Sequence, residues 1–211
     1  IKTSFQRTGR RLNLDSYLHS DLDPKFLETR AKFYIPEKTI YLDGNSLGLM
    51  SMEAETELLS VANDWKTLGV EGWSKPDGDW FHMAERLGAL TAPLIGAEPD
   101  EVIVTNSTTV NLHQILTTLF PNQEGKTDII VDKSIFPSDE YAITSFLNSK
   151  DLPPEKHLIK IAPSKTAFLD ENDVVEAISP QTAIVLLPGV VYTTGQLMNM
   201  ATISTAARKL G

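Results

Sequence analysis

The apolar positions of this chain change their period about halfway along it. From about Met52 to Leu68, the residues Leu58, Val61, Ala62, Trp65 and Leu68 recur at helical spacing, and Gly69 closes that helix. Met83, Leu87, Leu90 and Leu94 form a second helical stripe that stops at Gly96, and Pro93 within it predicts a kink or an earlier end. After that the pattern becomes regular. EVIVT (101–105), DIIVD (128–132), HLIKIA (157–162) and AIVLL (183–187) read as short apolar strands. Each leads to an amphipathic helix: one to about Phe120, then SDEYAITSFLNS, ENDVVEAIS and a last one to about Leu210. Before these, TIYLD (39–43) predicts a short strand ahead of the turn GNSLG, and GVEGWSKPDGDWF (69–81) a glycine-rich loop carrying Trp73 and Trp80. The first forty residues read as an N-terminal arm with short helices.

Strands that alternate with helices predict an α/β fold with a parallel sheet covered on both faces. Ligands in such sheets gather at the C-terminal ends of the strands, so the segments that follow each strand carry the candidate chemistry. After EVIV (101–104) comes TNSTT at a helix start, where unpaired N–H groups and short hydroxyls suit an anion. Thr108 and Thr109 can bond a phosphate there, or Ser107 or Thr109 can simply cap the helix. After DIIVD comes KSIFPSDEY, in which Phe136, held by Pro137, either stacks on a flat ligand with Asp139 at its polar edge or staples the helix that Ser138 and Asp139 open. PGVVYTTGQLMN after the fourth strand offers a third wall or an ordinary turn.

Composition narrows the classes. The net charge of −9 disfavours nucleic acid and anionic membranes as partners. With no cysteine there are no disulfides or thiolate metal sites, which fits a cytoplasmic protein. The longest apolar run, AIVLLPGVVY, is too short to span a bilayer. His19, His82, His113 and His157 lack metal-ligand spacing, and the acidic clusters DENDVVE and AEPDE read as solvated caps. There is no G-x-S-x-G, P-loop or G-x-G-x-x-G.

Taken together, YLDGNSLG (41–48), EGW (71–73), VTNSTTVNLH (104–113), FPSDEY (136–141) and VVYTTGQ (190–196) occur in an order that resembles the kynureninase family. That family lies on the class V aminotransferase branch of the fold type I pyridoxal-phosphate enzymes. The resemblance implies a mostly parallel sheet flanked by helices, with 1–50 as arm and first turn and 51–211 as the first part of the cofactor-binding large domain. It implies pyridoxal 5'-phosphate as cofactor, and hydrolysis of L-kynurenine or its 3-hydroxy form to an anthranilate and L-alanine in tryptophan catabolism. It implies a cytoplasmic homodimer, with no nucleic-acid or membrane partner.

Carried over residue by residue, it makes Thr108 and Thr109 the start of the phosphate cup. Phe136, with Pro137 and Ser138 around it, becomes the ring stacked on the pyridine, and Asp139 lies close to that ring's polar edge. Ser46 and Trp73 would line the substrate pocket. Where relatives often place a hydroxyl after the fourth strand, this chain has Pro188 and Gly189, so the phosphate contact there falls to backbone. None of its lysines sits in the context expected of the Schiff-base lysine, which is expected beyond Gly211, as is the Asp that pairs with the pyridine nitrogen. The expectation is therefore the N-terminal half of a longer enzyme. Two alternatives stand beside it: another enzyme of the same branch, such as a cysteine desulfurase-like lyase or an aminotransferase, and a non-catalytic half-domain used for binding or assembly.

Overall fold

The computed structural model describes residues 24–76, 78–120, 125–163 and 167–211. His19 and the first part of the expected arm fall outside them. Contacts divide the chain into two compact units, meeting at Asp100 and Glu101.

The first unit is helical. Helix α1 (Pro24–Ala31) precedes α2 (Met52–Leu68), a 3₁₀ stretch over Gly69–Ser74, and α3 (Met83–Ile95). Ser51 starts α2 by accepting from the Ala54 N–H at 3.0 Å, and Glu53 and Glu55 complement the helix dipole in the first turn. Lys32 pairs with Glu53 at 3.3 Å and the Tyr34 phenol donates to Glu55, so the chain after α1 is fastened to the start of α2. Gly69 stops α2 at φ +55, its N–H donating to the Trp65 carbonyl.

One expectation fails in this unit, and so does one of the two alternatives for Pro93. TIYLD does not form a strand: it has no ladder partner among the described residues, and Ile40 and Leu42 are each 86% exposed. A strand is defined by pairing, which an apolar run cannot supply alone. Pro93 does not end α3, which runs on to Ile95. Pro93 lies in the last turn, where its missing N–H removes only one bond before Gly96 closes the helix in the left-handed region.

The second unit is a three-layer α/β body. Its elements are α4 (Thr108–Leu119), β1 (Asp128–Asp132), α5 (Pro137–Ser149), α6 (Pro154–His157), β2 (Leu158–Ile161), α7 (Glu171–Ala177), β3 (Thr182–Leu186), the short pair β4 (Val190–Val191) and β5 (Gln196–Leu197), and α8 (Met200–Lys209). The sheet order is β2-β1-β3, with β1 parallel to both neighbours. Ile129 stands opposite Leu158 on one side and Ile184 on the other.

Strand alternation sorts the core. Ile129 and Val131 face Leu112, Leu116 and Phe120 of the α4 segment and Ile143, Phe146 and Leu147 of α5. Ile130, between them, faces the opposite layer of Val174 in α7 and Ile203 in α8. All three strand residues are fully buried. EVIVT, expected as the first strand of the series, is not one: it has no ladder partner among the described residues, and Ile103 is 60% exposed. The other three strands fall where the apolar runs lie. At the opposite end of β1, His157 Nδ1 and Asp128 Oδ1 lie 2.9 Å apart, so this histidine ties α6 to the sheet.

Candidate functional site

At the start of α4 the capping role falls to one residue. Ser107 is the cap: its backbone is extended, and its Oγ accepts from the Val110 N–H at 3.4 Å. Asn106 precedes it at φ +42, a turn conformation that asparagine tolerates better than most residues. Thr108 and Thr109 are then the first two helical residues. Among the described residues no protein group bonds their hydroxyls or their N–H groups. Thr108 is exposed and Thr109 half-buried. Two hydroxyls and two N–H groups thus remain at the positive end of a helix of 12 residues, a donor set that suits a phosphate.

At the end of β1, Phe136 takes the cap position of α5 with extended backbone (φ −60, ψ 135), and Pro137 fills the first helical position with the fixed φ a helix start needs. Asp139 N–H donates to the Phe136 carbonyl at 2.9 Å. A staple would place the apolar residue one position before the cap, and Ile135 occupies that position. The Phe136 ring is instead 54% exposed. Its neighbour is Tyr192, just past β4, with ring centroids 5.6 Å apart and planes at 67°. Asp139 is half-buried and accepts from Ser138 Oγ at 3.3 Å. Pro188 is half-buried and Gly189 exposed just after β3; the Gly189 carbonyl accepts from Met198 N–H at 2.9 Å.

No hydrogen bond joins the start of α4 to Phe136–Asp139 among the described residues. The two helices meet through the core, where Phe120 at the end of α4 packs edge to face on Phe146 in α5, at 5.1 Å. The turn bearing Tyr192 is fixed by Gln196, whose amide spans the Leu169 backbone: Oε1 accepts from the Leu169 N–H at 2.8 Å and Nε2 donates to its carbonyl at 2.7 Å.

Ser46 and Trp73 belong to the first unit. Ser46 is exposed in the turn after Asp43, to whose carbonyl its N–H donates at 3.1 Å. Trp73 is 53% exposed and meets Trp80 edge to face at 6.1 Å. No hydrogen bond or ring contact joins Ser46 to Trp73 among the described residues. Beside Trp80, the Asp79 carboxylate accepts from the His82 N–H at 2.7 Å, which together with the His82 side chain and Arg86 holds its pKa below the usual carboxylate value.

The sequence pointed to strand ends, but it showed neither the pairing of Tyr192 with Phe136 nor a role for Asp132. Tyr192 was one aromatic within an apparent turn. Asp132 is a buried carboxylate closing β1, and its Oδ1 accepts from the N–H and Oγ of Ser134 at 2.8 and 2.7 Å. An acidic residue at the end of an apolar strand was the available signal for it. No group of three or more potential metal ligands occurs, and no helix is long and apolar enough to cross a membrane, among the described residues.

A family model for Aminotransferase class-V matches residues 40–211. A kynureninase of Bacillus cereus is 43% identical over 194 residues, covering 92% of this chain and 45% of the relative. One of Geobacillus thermodenitrificans is 44% identical over 182 residues, covering 86% and 42%. The chain therefore spans somewhat less than half the length of the curated relatives it matches. Among solved structures, the C-DES mutant K223A with glycine covalently linked to the PLP cofactor aligns with TM-score 0.67 at 16% identity, covering 85% of this chain and 46% of that one. DndA from Streptomyces lividans aligns with TM-score 0.52 at 22% identity, covering 72% and 42%.

Proposed function

This chain belongs to the aminotransferase class-V family, and on that premise we propose that the whole protein is a kynureninase, cleaving L-kynurenine or 3-hydroxykynurenine hydrolytically to an anthranilate and L-alanine. The observation that carries the reading is the identity of 43% to a kynureninase over 92% of this chain. The fold is the α/β architecture of the fold type I pyridoxal-phosphate enzymes.

The donor set fits that cofactor on chemical grounds. The N–H and hydroxyl groups of Thr108 and Thr109, unspent on protein partners among the described residues, would bind the phosphate at the positive end of α4. The exposed Phe136 ring would lie on the pyridine, with Pro137 and Ser138 setting its backbone and Asp139 facing the ring's polar edge. Pro188 and Gly189 would meet the phosphate side through backbone. Ser46 and Trp73 are assigned to substrate. When bound, the cofactor supplies an electron sink for negative charge developed on the substrate. This chain's residues bind and orient; the lysine that carries the cofactor is assigned to the part of the protein beyond Gly211. A homodimer working in the cytoplasm completes the proposal.

The test is turnover by the whole protein. Anthranilate release from L-kynurenine, exceeding any activity on cysteine or on amino-acid/keto-acid pairs, supports the assignment. Activity on cysteine or a keto acid without anthranilate would move the protein to another reaction of the same family.

A further inference from the structure

Gly72 and Trp80 fit each other so closely that no other residue fits at position 72 without moving the indole. Gly72 is buried, and a Cβ built on it would stand 2.6 Å from Trp80 Cη2 and 2.8 Å from Cζ2 and Cζ3. Those are the far atoms of the six-membered ring, so the whole length of the indole is used in reaching the bare backbone. The Trp80 N–H donates to the Gly72 carbonyl at 3.2 Å. The same ring meets Trp73, the next residue, edge to face with planes at 78°. Trp80 Nε1 is buried without a hydrogen-bond partner among the described residues, so shape, not polarity, holds the side chain.

The other end of Trp80 is anchored to α3. Asp79 Oδ1 accepts from the His82 N–H at 2.7 Å and lies 3.1 Å from His82 Nδ1, and Arg86 Nη2 donates to the Asp79 carbonyl at 2.8 Å. Trp73 stands at the end of the 3₁₀ stretch that continues α2. The indole of Trp80 therefore braces the Gly72–Trp73 backbone from the bend just ahead of α3.

We propose that Trp80, seated on Gly72, is a positioning residue that sets the orientation of the Trp73 ring toward substrate. This rests on the assignment of Trp73 to substrate made above, and Trp80 itself touches no substrate. Gly72 is required for the same reason, since a methyl group there displaces the brace.

The experiment compares Trp73→Ala, Trp80→Leu, Gly72→Ala and the double variant Trp73→Ala/Trp80→Leu in the whole holoenzyme, reading KM and kcat for L-kynurenine and bound pyridoxal phosphate by absorbance. Expected are a KM raised about tenfold in each single variant, with kcat within about threefold and cofactor content unchanged. The double variant should match Trp73→Ala, because a residue that acts through another adds nothing once that other is gone. Trp80→Phe, too short to reach Gly72, should raise KM while preserving the fold, which covers the case in which Trp80→Leu does not fold. If Trp73→Ala raises KM but Trp80→Phe and Gly72→Ala leave it unchanged, the positioning role is overturned and the substrate assignment stands. If Trp73→Ala leaves KM unchanged, the substrate assignment falls and takes the positioning role with it. Equal further losses from Trp80→Leu in both backgrounds would make Trp80 a stability residue only.

Discussion

Phe136 and Tyr192 meet edge to face beyond the ends of two parallel strands, one after β1 and the other after β3 and the short β4. The contact leaves Phe136 54% exposed, so one neighbour supports the ring and the rest is available to a flat partner. Phe136→Ala should lower pyridoxal-phosphate affinity of the whole protein by roughly tenfold, the scale of one aromatic stacking contact, while Phe136→Tyr keeps it. A fluorescence titration of the apoprotein measures this. Unchanged affinity in Phe136→Ala would remove the ring from the cofactor site.

Ser107 and Thr108 are adjacent but predicted to fail differently. Ser107→Ala removes the cap of α4 and should cost about 1 kcal/mol of stability in urea unfolding, with little effect on cofactor affinity. Thr108→Ala and Thr109→Ala should each weaken cofactor binding by roughly tenfold or more, as expected for a hydrogen bond to a charged group, at nearly unchanged stability of the apoprotein. The reverse pattern would return the turn to a purely capping role.

Ile130 is fully buried between the sheet and the layer of α7 and α8. Ile130→Ala should destabilise the protein by about 2–5 kcal/mol, through lost transfer energy and the cavity left in a layer that cannot collapse freely. Ile130→Val should cost about 1 kcal/mol by the same measurement.

Asp79 gives a pH-dependent prediction with a definite sign. The His82 N–H is the main cause of its lowered pKa, followed by the His82 side chain and Arg86. A carboxylate whose folded pKa is depressed contributes stability above the unfolded value, near 3.8, and loses it as pH falls through the folded value. Wild type should therefore exceed Asp79→Asn in stability at pH 5, and the gap should close on acidification below 3.8. In His82→Ala most of the gap should survive, because the main contribution comes from a backbone N–H. Thermal melts across this range decide.

The series of strands and helices was legible where a local pattern coincided with a tertiary one. DIIVD and EVIVT look alike locally, yet only DIIVD is paired on both sides and covered on both faces. That difference lies in distant partners, which the run itself does not encode. The pair β4–β5 is too short to produce a period, and only the Thr-Thr-Gly sequence, with Gly195 at φ +69, marks its turn. Thr108, Thr109 and Phe136, the proposed cofactor contacts, could be named from their positions at strand ends and helix starts. Tyr192 could not be paired with Phe136, because nothing in sequence spacing relates residues 56 positions apart. The brace between Gly72 and Trp80 was equally hidden: a glycine-rich loop announces freedom, and here the missing side chain makes room for an indole.

The amide of Gln196 has a consequence of another kind. A ladder between strands is written in the backbone, so no single substitution erases it. Here one rung beside Tyr192 is supplied by a side chain that donates and accepts as a peptide unit would. That attachment can be lost or regained at one codon, so the mobility of the turn beside Tyr192 can change while the sheet beneath stays the same.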